Sequence, residues 1–266
     1  MKISVAQFGP TTDAAANRSE IGTLVAQSVA EGARLVVLPE EAMLLAEGLE
    51  SPLAEIVATE WDLFEQFLIG LATQHTVALI AGGYEPNGTD RPFNTLIAID
   101  TDGAVAARYH KLHLYDAFAY QESGYVTPGH ELPPVVELAG IRVGLINCYD
   151  LRFPEQARFL IDQGAEVLSL SAAWVAGARK EDHWDTLARA RAIENTVWVV
   201  AAGSISPDCI GNSMIIDPLG ITRASLGDAA SAIAVVDVTA ERTDLVRAKL
   251  PSLQNRRLSL AITVSE

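Results

Sequence analysis

Short apolar runs alternate along this chain with amphipathic stretches and tight turns, and that alternation admits few architectures. Residues 3–8 read as a strand, residues 14–31 carry apolar positions at helical spacing and stop at Gly32, and "RLVVLP" reads as a second strand. This is a βαβ start. Residues 60–74 read as a second helix, and "VALIAGGY", "NTLIAID" and "AVAARYHK" as strands, the last two joined by a turn at "DTDG". "PVVELAG" and "IRVGLINC" form another hairpin pattern. Helices are expected at 154–163 and 183–195, with strands at "AEVLSLS", "TVWVVAA", "SMIIDP", "ITRASL" and "AIAVVDV". No Pro/Gly/Ser-rich linker divides them, so residues 1–266 read as one α/β domain. One open sheet does not easily hold so many strands, whereas two stacked sheets covered by helices would.

Composition narrows the function. At 266 residues, 49% hydrophobic and 20% charged, the chain can bury a large core. A formal charge of −15 argues against a nucleic-acid partner, which needs a basic surface, but leaves room for a small anion beside a local cation. No run approaches the roughly 18 apolar residues of a membrane helix. The N-terminal "MKISVAQF" reads as a first strand, not a secretory leader. The two cysteines, Cys148 and Cys209, make no disulfide framework and no CxxC pair, which fits a reducing, cytoplasmic setting.

Cys148 ends the apolar run of "GLINCYDLRFPE", and Pro154 is suited to the first position of a following helix. The thiol therefore sits at a strand-to-helix turn, where α/β sheets open their ligand crevice and backbone N–H groups can hold an oxyanion. A nucleophilic thiol needs a base and an electrostatic stabiliser. No histidine offers a convincing partner. Glu40 ends the run "RLVVLPE" and Lys111 ends "AARYHK", so three strand ends can converge on one rim.

The segments "LPE", "HKLHLYD" and "GLINCYDLRFPE" resemble, in order and separation, the three signature motifs of the nitrilase superfamily of carbon–nitrogen hydrolases. The resemblance runs from "ISVAQF" through "GNSMIIDPLG" to "LPSLQNRR". It implies a four-layer αββα sandwich and hydrolysis of non-peptide C–N bonds through a thioester, with Glu40 as base, Lys111 as electrostatic partner and Cys148 as nucleophile. By motif position the second glutamate is Glu122, in "YQESGYVTPG", and the oxyanion would be held by Lys111 and the Tyr149 N–H. No metal and no cofactor is implied. The implied assembly is a homodimer through the helices at 154–163 and 183–195. The stretches "HLYDAFAYQES" and "AAWVAGARKEDHWDTLARARAIEN" look most like the bacterial amidase branch that hydrolyses deaminated glutathione. The ω-amidase branch acting on 2-oxoglutaramate shares most motifs, and aliphatic amides or N-carbamoyl compounds stay open as substrates.

Substrate contacts are expected from Trp174 as pocket wall and from Arg179 or Lys180 as cations for a substrate carboxylate. Arg152 and Glu155 read most simply as a structural ion pair beneath the turn. His110 and His113 read as strand neighbours, Cys209 as a free thiol in a polar loop, and Glu41 as pointing away from the site. A zinc hydrolase would need clustered ligands, and the five histidines lack HExxH spacing. A non-catalytic binding protein would be expected to have lost one of the three motif residues, and none is lost.

Overall fold

The β-rich runs sort into two six-stranded sheets, each with a parallel centre and antiparallel flanks. The computed structural model describes residues 1–259 and 262–264. In the first sheet Lys2–Phe8, Leu35–Val37 and Ala78–Glu85 run parallel, flanked by Ser231–Asp237 on one side and by Phe93–Ile99 and Val105–His110 on the other. In the second, Ile141–Asn147, Val167–Ala172 and Trp198–Gly203 run parallel, with Val135–Leu138 at one edge and Met214–Ile216 and Thr222–Ser225 at the other.

Parallel neighbours require crossovers, and the crossovers supply helices. Helix α1 (Ala14–Ala30) and helix α2 (Leu53–His75) pack on the first sheet; α3 (Pro154–Asp162) and α4 (Lys180–Asn195) pack on the second. Three separate apolar layers follow. One lies between α1/α2 and the first sheet, one between α3/α4 and the second, and one between the two sheets, where Ile3, Val5, Leu96 and Ile80 meet Leu145, Trp198 and Val200. The result is the four-layer αββα sandwich.

Local signals explain the boundaries. Asp13 accepts hydrogen bonds from the Ala15 and Ala16 amides, a cap of about 1 kcal/mol, and Gly32 takes φ +88° just past the end of α1. Helix α2 begins seven residues before the expected 60, because Pro52 precedes it and Leu53 and Val57 extend the same buried stripe as Trp61, Phe64, Leu68 and Leu71. Helix α4 begins three residues before the expected 183, which brings Lys180 into its first turn. A fifth helix, α5 (Ala240–Lys249), was not evident from periodicity. Thr239 caps it through the Arg242 amide, and the Arg242 guanidinium pairs with buried Asp217 at 2.7 Å. No helix among the described residues is long and apolar enough to cross a membrane.

Candidate active site

The topology explains why three distant residues meet. Val105–His110 is antiparallel to Phe93–Ile99, which is antiparallel to Ala78–Glu85, so it runs in the direction of the parallel strands. Glu40 and Lys111 therefore leave the first sheet at the same rim. Asn94, at the start of the antiparallel strand between them, sits at that rim too. Cys148 leaves the corresponding rim of the second sheet, at the first residue of a 3-10 turn, Cys148–Arg152, whose next residues lead to Pro154 at the start of α3.

Cys148 has φ +47°, a left-handed conformation that a non-glycine residue holds only under constraint from its surroundings. The constraint is visible. Asp150, buried below the turn, accepts hydrogen bonds from the Tyr109 hydroxyl at 2.8 Å and from the Asn147 and His113 amides at 3.2 Å, and it also engages His113 Nδ1 at 2.7 Å. Arg191 of α4 donates to the Leu151 carbonyl at 2.6 Å. His113 therefore supports the turn, stacked on Phe153 at 3.6 Å, while His110 pairs with Glu85 at 3.0 Å and stacks on Phe93.

Above the turn lies a buried charge cluster. Lys111 Nζ donates to Glu40 Oε1 at 2.7 Å and to Glu122 Oε2 at 2.8 Å; all three residues are almost fully buried. Asn94 Nδ2 bridges the same two carboxylates at 2.8 and 2.9 Å, and its carbonyl oxygen accepts from Asn147, the residue before Cys148, at 2.9 Å. The Ala173 amide donates to Glu40 Oε2 at 2.8 Å and the Tyr115 amide to Glu122 Oε2 at 2.6 Å. Burial opposes ionisation of Glu40, but the Lys111 ammonium and these donors hold its carboxyl below the usual range. The same carboxylates hold Lys111 well above its ordinary value against the pull of burial. Cys148 faces Glu40. Burial pushes its thiol well up, and the Glu40 charge pushes further, with Lys111 offsetting only part.

The site opens into a cavity of about 640 Å³, a size suited to a small-molecule substrate. Tyr149, Trp174 and Lys180 line it. Arg179 does not: it is exposed at the start of α4 and paired with Asp182, so α4 turns this cation outward and the next one inward. Arg152 departs most from expectation. Glu155 is exposed and forms no ion pair with it among the described residues; the guanidinium instead lies in the cavity wall, 4.7 Å from the centre of the Trp174 ring, with Nε and Nη2 buried and unpartnered. Lys180 is buried over the Tyr115 and Phe118 rings, and its ammonium is lowered by burial and by the nearby Arg152 cation. Cys209 is a free thiol, as expected, but it is buried and does not lie in a polar loop. It lies in the cavity wall in a short hairpin, with its thiol pushed up to about 12 by burial. Glu41, expected to point away from the site, instead lines the same cavity, because its carboxylate is drawn to the Tyr84 hydroxyl at 2.6 Å. Among the described residues no group of three or more His, Cys, Asp or Glu side chains is placed to hold a metal ion.

Two glycines make room for the loops that carry Glu40 and Lys111. A Cβ on Gly82 would lie 1.9 Å from the Glu40 carbonyl oxygen, and one on Gly129 would lie 2.2 Å from the His110 carbonyl oxygen. Both obstacles are backbone, which cannot rotate aside as a side chain can. Gly82 is thus what lets the "LPE" turn lie flat on the neighbouring strand, and the Gly129 amide in turn donates to the Lys111 carbonyl at 2.9 Å.

The carbon-nitrogen hydrolase family model matches residues 2–248. The chain is 42% identical, over 97% of its length and 98% of the relative's, to deaminated glutathione amidase of Escherichia coli O157:H7. Among solved structures it is similar to a carbon-nitrogen hydrolase from Helicobacter pylori G27, at 25% identity and a TM-score of 0.89, covering 97% of this chain and 95% of that one. It is also similar to a variant of the amidase from Nesterenkonia sp. AN1 that carries the acetamide moiety of fluoroacetamide on its active-site cysteine, at 26% identity and a TM-score of 0.82, covering 97% and 94%. The chain belongs to the carbon–nitrogen hydrolase family. It is a hydrolase of carbon–nitrogen bonds other than peptide bonds, of the nitrilase-superfamily amidase type.

Proposed function

We propose that the enzyme hydrolyses an amide with an anionic acyl half, deaminated glutathione being the substrate that fits best, through a thioester on Cys148. The observation that carries the acyl half is Arg152: a guanidinium with two buried, unpartnered nitrogens, beside a second buried cation, Lys180, in the wall next to the nucleophile. Desolvated cations without a protein carboxylate favour a ligand that brings one. A 2-oxoglutaryl group would place its carboxylate there. The relative named for deaminated glutathione supports the same reading.

In the reaction, Glu40 accepts the thiol proton as Cys148 attacks the amide carbonyl, and Lys111 together with the Tyr149 N–H stabilises the oxyanion. The protonated Glu40 then gives its proton to the departing nitrogen, which leaves as an amine. Water attacks the thioester as Glu40 takes its proton, the C–S bond breaks, and Glu40 passes that proton to the departing sulfur, so the acid product leaves with the free thiol and the ionised base restored. Glu122 and Asn94 hold Lys111 and Glu40 in register throughout. This chemistry requires a reduced thiol, consistent with a cytoplasmic setting and with two unpaired cysteines.

Arg152→Ala tests the acyl assignment. It is expected to lower kcat/KM on deaminated glutathione by about 10²-fold, the effect of losing a charge-assisted pair, with much less effect on a neutral aliphatic amide. Equal losses on both would overturn the carboxylate role. Higher kcat/KM on 2-oxoglutaramate than on deaminated glutathione would move the assignment to an ω-amidase.

The reading includes a homodimer through α3 and α4. Ile193 on α4, with Leu219 and Ile221 beside it, presents exposed apolar surface of the kind an isologous interface covers. Light scattering at micromolar concentration should return about twice the chain mass; a monomer mass would exclude the dimer.

A further inference from the structure

Glu41 is an acid in the cavity that the chemistry above does not use. Its Oε1 accepts a hydrogen bond from the Tyr84 hydroxyl at 2.6 Å and a long one from the Ala46 amide at 3.4 Å, while Oε2 makes no hydrogen bond to the protein among the described residues. Among the described residues no cation pairs with it. The groups around it are Glu40 on its own turn, Tyr84 on the adjacent strand, Tyr120, Glu122 and Tyr125 from the segment after Lys111, and Cys209 from the short hairpin. Lys111, the nearest ammonium of the cluster, is spent on Glu40 and Glu122. The cavity thus has two unlike walls. The loops of the second sheet contribute two cations, Arg152 and Lys180, and one acid, Asp208, whereas the outer loops of the first contribute the acids Glu41 and Glu47 with Tyr84 and the neutral Thr11 and Thr12.

We propose that Glu41 reads the amine half of the substrate: ionised, it disfavours an amine half bearing a carboxylate, and protonated, it donates a hydrogen bond from Oε2 to that same carboxylate. The proposal rests on the reading above in one respect, that Arg152 and Lys180 take the acyl end; the amine half, on the far side of the scissile carbonyl, is then directed to the opposite wall. Desolvation pushes the Glu41 carboxyl up to about 7, with the Tyr84 hydrogen bond opposing and the Glu40 charge adding. Both states are therefore populated near neutral pH. In an N-acylglycine the carboxylate lies two bonds from the amide nitrogen and would feel the change directly.

The test compares two N-acyl compounds that differ only in the amine half, glycine or glycinamide, each made with a 2-oxoglutaryl and with an acetyl acyl group. The glycine carboxylate stays ionised from pH 6 to 8.5, and effects on the acyl side cancel in the ratio. The ratio of kcat/KM for glycinamide over glycine is expected to rise about tenfold across that range in the wild type, and less than about twofold in Glu41→Gln, which cannot ionise. Tyr84→Phe removes a hydrogen bond that favours the ionised form, so it should move the midpoint of the rise to higher pH. A flat ratio in the wild type, an undiminished rise in Glu41→Gln, or, should that variant not fold, an unmoved midpoint in Tyr84→Phe would each overturn the role of Glu41. Turnover of the acetyl pair alone would instead sink the acyl reading, and the same ratio measured on that pair would still decide Glu41.

Discussion

Cys148→Ala is expected to lower amide hydrolysis by more than about 10⁴-fold, because no other group near the scissile bond can form the acyl intermediate. Cys209 shares the cavity wall, but burial holds its thiol at about 12 and its nearest ionisable neighbours are acids, so it offers no substitute nucleophile. The variant should keep its fold. Alanine retains the Cβ, so the φ of +47° is held at the same cost as before, and the Asp150 hydrogen bonds that impose it involve backbone and neighbours but not the sulfur. A change in stability within about 1 kcal/mol is expected from chemical denaturation. Intact-mass spectrometry of the wild type with a slow substrate should show the acyl adduct, and its absence in Cys148→Ala completes the test. Retained turnover in that variant would refute the thioester.

Lys111→Met should be damaging in two separable ways. Activity falls through loss of oxyanion stabilisation, by about 10²–10³-fold or more. Stability falls as well, because two carboxylates that shared one ammonium are left buried and facing each other; breaking such a pair costs on the order of 3–5 kcal/mol. The pH dependence identifies the cause. In the wild type the folded Glu40 carboxyl lies below its ordinary value, so its contribution is present above about 4.5 and is lost as pH falls. In the variant the same carboxyl, deprived of the cation, would lie above its unfolded value. The destabilisation should then grow as pH rises and shrink toward pH 5. Denaturant midpoints measured from pH 5 to 8 check this, and a deficit independent of pH would assign the loss to packing.

How much of this was legible in the sequence depended on whether a residue's role is local. The strand ends carrying Glu40, Lys111 and Cys148 were visible, since each apolar run stops at a polar residue and the motifs fall in family order. Pro154 marked the start of α3 for a local reason also, its missing N–H. Arg152 was misread because an Arg and a Glu three residues apart suggest a pair on one helix face, yet Arg152 precedes the helix, in a 3-10 turn that aims it at Trp174. Arg179 and Lys180 are adjacent, and no sequence pattern tells that the helix start, with its left-handed φ of +61° at Arg179, leaves Arg179 outside and Lys180 in the cavity wall. Asn94 does carry a signal: with Thr95 it is a polar pair at the start of the run "FNTLIAI", buried where only hydrogen-bonded polar side chains are tolerated. Glu41 depends on Tyr84, 43 residues away, and no local pattern announces that contact.

The buried cluster sets two carboxylates against one ammonium, and Cys148 faces the side where negative charge is in excess. A thiolate formed there without substrate would be repelled, so between turnovers the sulfur keeps its proton. Peroxides and electrophiles attack thiolates in preference to thiols. In the proposed mechanism, the arrangement that delays ionisation until a carbonyl arrives would therefore also shield the idle enzyme from oxidation and adventitious alkylation, leaving Cys148 least vulnerable when it is not at work.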